Sequence, residues 1–208
     1  MRRQMLGEFF GTGLMVAVGC GSVAFGASHG VVSFTFGAVV TLAILLFGPL
    51  SGAHINPAVT IAFWRDGQLP TALVPAYVLA QLTGAMCGAF LVNAAAPTTL
   101  NPSFSLVEGF LIEVTITMLL MTSILLVVQR TERRAVVAVW VGLTVAILAL
   151  IAGPWTGASM NPARTFGPNV LGGMWYTLPF YFTSTVLGAW LACDIKQRCF
   201  PDMSPIQD

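Results

Sequence analysis

Six apolar stretches, each of roughly 20 residues and long enough to cross a bilayer, make up most of this 208-residue chain. Only 8% of the residues are charged, against about a quarter in a soluble globular domain. Unpaired backbone groups are costly in lipid, and the unbroken apolar runs lack the alternation of barrel strands. The chain is therefore predicted to be an all-α membrane protein. Its spans are placed near 5–26, 31–50, 71–93, 105–128, 135–153 and 175–195.

The basic residues indicate how the chain is oriented in the membrane. Eight of the nine fall on one side of a six-span arrangement, and these are Arg2, Arg3, Arg65, Arg130, Arg133, Arg134, Lys196 and Arg198. Because Lys and Arg are enriched in cytoplasmic loops, that side is predicted to be the cytoplasm, with both termini there. The compact outer loops favour a bacterial inner membrane. Arg164 is the one basic residue on the outer side, which marks it as a candidate functional residue.

The sequence contains an internal duplication. Shifted by 105 positions, residues 48–58 fall on residues 153–163 with seven of eleven identities, and Glu8 falls on Glu113. The chain is interpreted as a single channel domain, 1–208, with repeat halves 1–100 and 101–208. An odd number of spans in each half forces the halves into opposite orientations, as in other inverted-repeat membrane proteins.

Two shorter stretches, Asn56–Trp64 and Asn161–Leu171, each open with Asn-Pro-Ala and are too short to cross. Asparagine is a good N-cap and proline suits the first helical position, so both are predicted to be half-membrane helices. Their positive dipole ends would meet near the membrane centre. The preceding Gly-Pro-x-(Ser/Thr)-Gly-Ala stretches are expected to lie outside regular helix, with carbonyls lining a wet path. Such a path passes neutral solutes and repels cations, including protons.

These loops carry a family resemblance. His54–Thr60 and Met160–Arg164 resemble the paired signature loops of the major intrinsic proteins, the aquaporins and aquaglyceroporins. The resemblance covers almost the whole chain, including residues 8–12 in the first span. It implies the aquaporin fold, with six transmembrane helices and two half-membrane helices in an inverted repeat. It also implies a homotetramer with one pore in each subunit. Within the family, the chain is most similar to bacterial water-type aquaporins, with an atypical wide filter.

The resemblance assigns roles to the loop residues. The pore Asn-Pro-Ala motifs are Asn56, Pro57, Ala58, Asn161, Pro162 and Ala163, and the pore-wall loops contribute Gly52, Ala53, His54, Gly157, Ser159 and Met160. Glu8 and Glu113 are ionisable groups inside spans, and a proton relay is one interpretation of them. Their symmetry favours a scaffold role, in which each carboxylate accepts hydrogen bonds from loop backbone.

The resemblance also implies a selectivity filter of Phe36, Ala149, Ala158 and Arg164. Water-selective relatives usually carry histidine where Ala149 stands, so the constriction is expected to be wider and to have one donor fewer. Thr165 and Asn169 resemble the water type instead, whereas Leu178 is closer to the glycerol type.

The predicted function is a passive channel for water and a small neutral solute, namely glycerol, urea, ammonia or an uncharged metalloid acid, that excludes protons and ions. A strictly water-selective aquaporin remains an alternative. So does a secondary transporter that uses Glu8 and Glu113 for ion coupling, or a membrane-junction protein with a closed pore. No metal cluster, nucleophile with a base or phosphate-binding loop is recognisable, so neither an enzyme nor a cofactor is expected. The expected partners are the permeants and the lipid bilayer, not nucleic acid.

Overall fold

The computed structural model describes residues 1–92 and 96–200, which form eight helices and, within those ranges, no β-strand. Six are long and apolar enough to cross a membrane: α1 (Arg2–Ala24), α2 (His29–Ser51), α4 (Thr71–Leu91), α5 (Leu106–Arg130), α6 (Arg134–Thr156) and α8 (Trp175–Cys199). Two are short: α3 (Pro57–Arg65) and α7 (Pro162–Leu171). The prediction of six spans and two half-membrane helices is confirmed. Asn93, the predicted end of the third span, lies outside the described residues.

The Gly-Pro stretches differ from their prediction. They were expected to lie outside regular helix, yet α2 continues through Pro49 to Ser51, and α6 continues through Pro154 to Thr156. Proline keeps a helix-compatible φ but removes one N–H, which frees the carbonyl four residues earlier, and membrane helices tolerate this where another group meets that carbonyl. For Pro154 the freed carbonyl is that of Leu150, and the His29 ring nitrogen Nε2 lies 2.9 Å from it. The helices end at glycines in the left-handed conformation, which glycine adopts without steric cost; Gly52 has φ 85° and Gly157 has φ 76°.

Glycines bring the spanning helices into backbone contact. A Cβ atom on Gly84 of α4 would lie 2.2 Å from the carbonyl oxygen of Phe9 in α1, and one on Gly88 would lie 2.3 Å from that of Gly13. Gly37 of α2 and Gly142 of α6 meet reciprocally, each added Cβ lying 2.5 Å from the other's carbonyl oxygen. Lipid gives apolar helices no hydrophobic drive to associate, so close van der Waals packing holds the bundle.

The outer surface of the bundle is apolar. Large hydrophobic side chains on several spans are exposed there, among them Phe10, Phe34, Leu46, Phe90 and Ile147. Polar side chains are buried instead, including Glu8, Gln81 and Glu113 at 0% exposure. This distribution suits a protein whose solvent is hydrocarbon and whose polar groups must find partners inside.

Gly84→Ala is expected to lower the free energy of unfolding by roughly 1–3 kcal/mol, because the new methyl group would press on α1 backbone that cannot move aside. Thermal unfolding in detergent micelles measures this. Gly30→Ala is the matched control, since nothing lies within 4 Å of the added Cβ. Equal shifts for the two variants would contradict the packing argument.

Candidate functional site

The loop between α2 and α3 is held by the carboxylate of Glu8. Its Oε1 accepts hydrogen bonds from the Ser51 hydroxyl at 2.7 Å and the His54 N–H at 2.9 Å. Its Oε2 accepts from the Ile55 N–H and the Gln81 side-chain amide, both at 2.7 Å. Buried backbone N–H groups need partners, and this one carboxylate supplies acceptors for two of them.

Glu113 does the same for the loop between α6 and α7. Its Oε1 accepts from the Thr156 hydroxyl at 2.6 Å and the Ser159 N–H at 2.8 Å, and its Oε2 from the Met160 N–H at 3.1 Å. Both carboxylates are 0% exposed and aimed at loop backbone. This geometry favours the scaffold interpretation over a relay or a coupling site.

Both loops are built from strained backbone. Four residues other than glycine have positive φ: Ala53 (51°), Ile55 (45°), Ala158 (42°) and Met160 (50°). Such conformations cost of order 1–3 kcal/mol each and persist only where the surroundings fix them. Tyrosines on α4 and α8 contribute, since Tyr77 and Tyr181 each donate a 2.8 Å hydrogen bond to the carbonyl that ends α2 or α6.

The two asparagines connect the loops crosswise. Asn56 Nδ2 donates to the Met160 carbonyl at 2.8 Å, and Asn161 Nδ2 donates to the Ile55 carbonyl at 2.9 Å. Each Oδ1 caps its own half-helix by accepting the N–H two residues on, at 2.8 Å for Ala58 and 2.9 Å for Ala163. The N-termini of α3 and α7 therefore meet, and their positive ends point at the same place.

A cavity of about 600 Å³ passes this meeting point. One wall consists of both asparagines and the loop residues Gly52, Ala53, His54, Gly157, Ala158, Ser159 and Met160. The lining also includes an apolar set from α2, α5 and α6, which consists of Val40, Ile44, Leu120, Ile124, Val141 and Val145. Pro57, Ala58, Pro162 and Ala163 are buried in the first turns of α3 and α7. Such a path offers a solute both hydrogen-bonding groups and apolar surface.

Phe36, Ala149, Ala158 and Arg164 all line this cavity and are 5–9% exposed. The guanidinium carbon of Arg164 lies 5.0 Å from the centroid of the Phe36 ring, within the range of a cation–π contact. Arg164 also donates to the Thr98 hydroxyl. The structure thus brings together one cationic donor, one aromatic ring and two methyl groups.

Sequence reasoning missed Thr98, and it noted Asn169 only as a water-type marker. Asn169 binds both backbone groups of Thr98, accepting from its N–H at 2.8 Å and donating to its carbonyl at 2.9 Å. The hydroxyl of Thr98 then meets Arg164, so Asn169 in α7 positions an acceptor for the arginine. No motif marks Thr98 in the sequence; its 2% exposure becomes visible only in the fold.

Both histidines line the cavity. His54, predicted as pore wall, stacks on Phe63 with ring centroids 4.7 Å apart and lines the cavity. His29, which sequence reasoning also missed, lines the cavity at the start of α2, and its Nε2 lies 2.9 Å from the Leu150 carbonyl. A histidine two residues before the predicted second span was the available signal.

Charges at the predicted cytoplasmic face form two ion pairs. Arg65, the last residue of α3, pairs with Asp194 at 2.5 Å, and Asp66 pairs with Lys196 at 2.5 Å. The Arg65 guanidinium also lies 4.1 Å from the centroid of the Trp190 ring. These contacts anchor the end of α3 to α8.

The cysteines match their prediction only in part. They lie mostly in apolar runs without CxxC spacing, which predicts buried small hydrophobic residues, and Cys20 and Cys193 are buried. Cys87 and Cys199 are exposed, so the interpretation is wrong for those two. An apolar neighbourhood in the sequence does not distinguish a lipid-facing side chain from one inside the bundle.

Comparison with known proteins gives a consistent set of similarities. The family model described as "Major intrinsic protein" matches residues 1–195. Aquaporin NIP1-1 of Zea mays is 37% identical over 203 residues, covering 90% of this chain and 71% of the relative. The glycerol uptake facilitator protein of Pseudomonas aeruginosa is 34% identical, covering 81% and 73%. The X-ray structure of the aquaglyceroporin from Plasmodium falciparum superposes with a TM-score of 0.89 at 28% identity, covering 97% of this chain and 98% of that one.

Thr98→Val is expected to destabilise the protein by roughly 1–3 kcal/mol, because the buried guanidinium of Arg164 loses an acceptor while side-chain volume is kept. Thermal unfolding in detergent shows this as a lower midpoint. Thr99→Val serves as the control, since Thr99 is exposed. A midpoint for Thr98→Val no lower than that of the control would show that the hydroxyl does not hold the arginine.

Proposed function

Because the chain belongs to the major intrinsic protein family and is a channel for water and small neutral solutes, we propose that a constriction at Ala149 and Arg164 selects its permeants. Phe36 and Ala158 complete this constriction on the wall of the same cavity. The permeants are water and one class of larger uncharged solute, comprising glycerol, urea, ammonia or an uncharged metalloid acid. The chain is a multi-pass membrane protein, and its relatives are channels rather than enzymes.

The observation that carries this proposal is that the methyl group of Ala149 lines the same cavity as the guanidinium of Arg164. Three of the four constriction residues are apolar, and only Arg164 donates hydrogen bonds. An imidazole at position 149 would both narrow the path and add a donor. Without it, a solute with an apolar face can lie against Phe36 and Ala149 while its hydroxyl or amide groups meet Arg164 and the loop carbonyls.

The exclusion of ions rests on charge. Arg164 and the convergent N-termini of α3 and α7 place positive potential along the path, which opposes cations and protons. Asn56 and Asn161 lie where these ends meet and line the cavity, so we propose that they donate to passing solutes. We propose that His54, Gly52, Ala53, Gly157, Ser159 and Met160 form the remaining pore wall.

The rival interpretations predict different fluxes. A secondary transporter needs carboxylates that face the path, but Glu8 and Glu113 are engaged with loop backbone. A strictly water-selective channel is favoured by Thr165 and Asn169. One measurement distinguishes the transporter and the strict water channel from the proposed channel. It is stopped-flow light scattering of proteoliposomes under gradients of an impermeant osmolyte, of glycerol and of urea.

Ala149→His is expected to lower glycerol and urea permeability about tenfold or more while water permeability stays within severalfold of the unmodified channel, since a single added group discriminates on this scale. The same stopped-flow assay reports both. Ile147→Val, on the lipid-exposed face of α6, is the matched control. An unmodified protein that conducts water but neither solute would identify a strict water channel, and gradient-coupled saturating flux would identify a transporter.

We also propose that the channel is a homotetramer with both termini in the cytoplasm. The proposal is supported by the family, by the exposed apolar outer surface, and by the basic residues collected on one side. Mass photometry in lipid nanodiscs should give the mass of four chains, and a single-chain mass would contradict it.

A bacterial inner membrane stays a prediction, because the matched relatives come from plants as well as from a bacterium.

A further inference from the structure

The two halves of the chain differ behind the constriction. In α1, residues Val16–Cys20 form a π-helical turn, whereas the positions 105 residues later, 121–125, lie in the uninterrupted α-helix α5. Such turns inside α-helices are frequent at functional sites. Here the turn places Gly19 against Phe36 and Cys20 against Arg164, whose carbonyl lies 3.9 Å from the Cys20 sulfur.

The contact between Gly19 and Phe36 leaves no room for a side chain. A Cβ atom on Gly19 would lie 2.4 Å from Cε1, 2.6 Å from Cδ1 and 2.9 Å from Cζ of the ring. The ring therefore rests directly on the α1 backbone. The Arg164 guanidinium lies 5.0 Å from the ring centroid, and Phe36 itself lines the cavity.

At two pairs of duplicated positions, the larger and the smaller side chain are interchanged between the halves. Gly19 corresponds to Ile124, and Phe36 corresponds to Val141, so the first half has a glycine behind a large ring. The second half has a large aliphatic residue on the spanning helix and a smaller one opposite. Ile124 itself lines the cavity, whereas Gly19 lies behind the Phe36 ring.

We infer that Gly19 determines the width of the constriction, because it lets the Phe36 ring retract against α1 and leaves space for a solute larger than water. This inference rests on the proposed filter and adds to it a positioning residue that does not line the cavity itself. Gly19 acts through Phe36, and the π-helical turn holds it in place.

A methyl group at position 19 would move the ring. Ordinary van der Waals contact begins at 3.4 Å, so Cε1 must shift by about 1.0 Å (3.4 minus 2.4). The ring is the far end of a rotatable side chain, whereas the helix backbone around Gly19 is fixed by α1 packing. The ring therefore yields, away from α1 and toward the cavity that it lines, and the constriction narrows.

The test compares glycerol and water permeability of Gly19→Ala proteoliposomes by stopped-flow light scattering. The ratio of glycerol to water permeability is expected to fall about tenfold, the scale on which one extra methyl group discriminates. Gly21→Ala is the matched control on the same helix. Its added Cβ would meet only Val92 at 3.6 Å and Phe25 at 3.8 Å, which are ordinary contacts, so its ratio is expected to stay unchanged.

Two further variants separate this inference from the filter proposal. Phe36→Ala should raise the glycerol-to-water ratio, and Gly19→Ala/Phe36→Ala should match it, because no ring remains to be displaced. A change in Phe36→Ala with none in Gly19→Ala would overturn the inference and leave the filter standing. No change in either would overturn both. A loss in Gly19→Ala that the second substitution does not rescue, or one shared by Gly21→Ala, would indicate a general packing defect and overturn the inference.

Discussion

The buried carboxylates of Glu8 and Glu113 are the constraint on which the channel depends. A pore lined by carbonyls requires backbone that is not helical, and hydrocarbon tolerates such backbone only where every N–H finds a partner. Each glutamate supplies acceptors to two N–H groups of its loop and to the hydroxyl that ends the preceding helix. The strained residues, the crosswise asparagines and the meeting half-helices all rely on loops held in this way.

The scaffold is duplicated, but the constriction is not. Glutamate, tyrosine, loop hydroxyl and capping asparagine recur in both halves with matching hydrogen bonds. Around Arg164, by contrast, the Phe36 ring, the Thr98 hydroxyl and the π-helical turn of α1 come from different segments, and residues 1–92 and 96–200 contain no matching set in the other half. The loops remain alike because the backbone N–H groups of both need the same hydrogen-bond acceptors. Selectivity, by contrast, needs only one narrow point along the path.

Much of the fold followed from the sequence because the bilayer makes local signals decisive. Apolar runs of fixed length located the six spans, and asparagine before proline located the starts of α3 and α7. The 105-residue offset of the repeat pairs Glu8 with Glu113 from the sequence alone. The prediction was wrong at Pro49 and Pro154, because a helix in the bilayer can continue through a proline, and the group that replaces a lost hydrogen bond comes from elsewhere in the fold, as His29 does at Leu150.

The support of the constriction did not follow from the sequence, because it is made of contacts between distant segments. Thr98 forms a hydrogen bond with Arg164, which lies 66 residues further along the chain. The segment between α4 and α5 that contains Thr98 has neither a hydrophobic periodicity nor a motif. The role of Gly19 depends on which ring faces it, and glycine in a span is usually a packing residue. The orientation of Cys87 depends on the rotation of its helix, which the apolar residues on either side of it do not reveal, whereas Cys199 lies in the polar last turn of α8.

The crosswise asparagine bonds also bear on the order in which the protein is made. Asn56 finds its acceptor on Met160, 104 residues further along the chain, so the ribosome must complete most of the second half before that bond can form. The partners of Glu8 all lie within the first 81 residues, so the first loop can be shaped while the nascent chain is still being synthesised. Closure of the pore wall is then a late event of biogenesis, in which two separately prepared halves dock at the middle of the membrane.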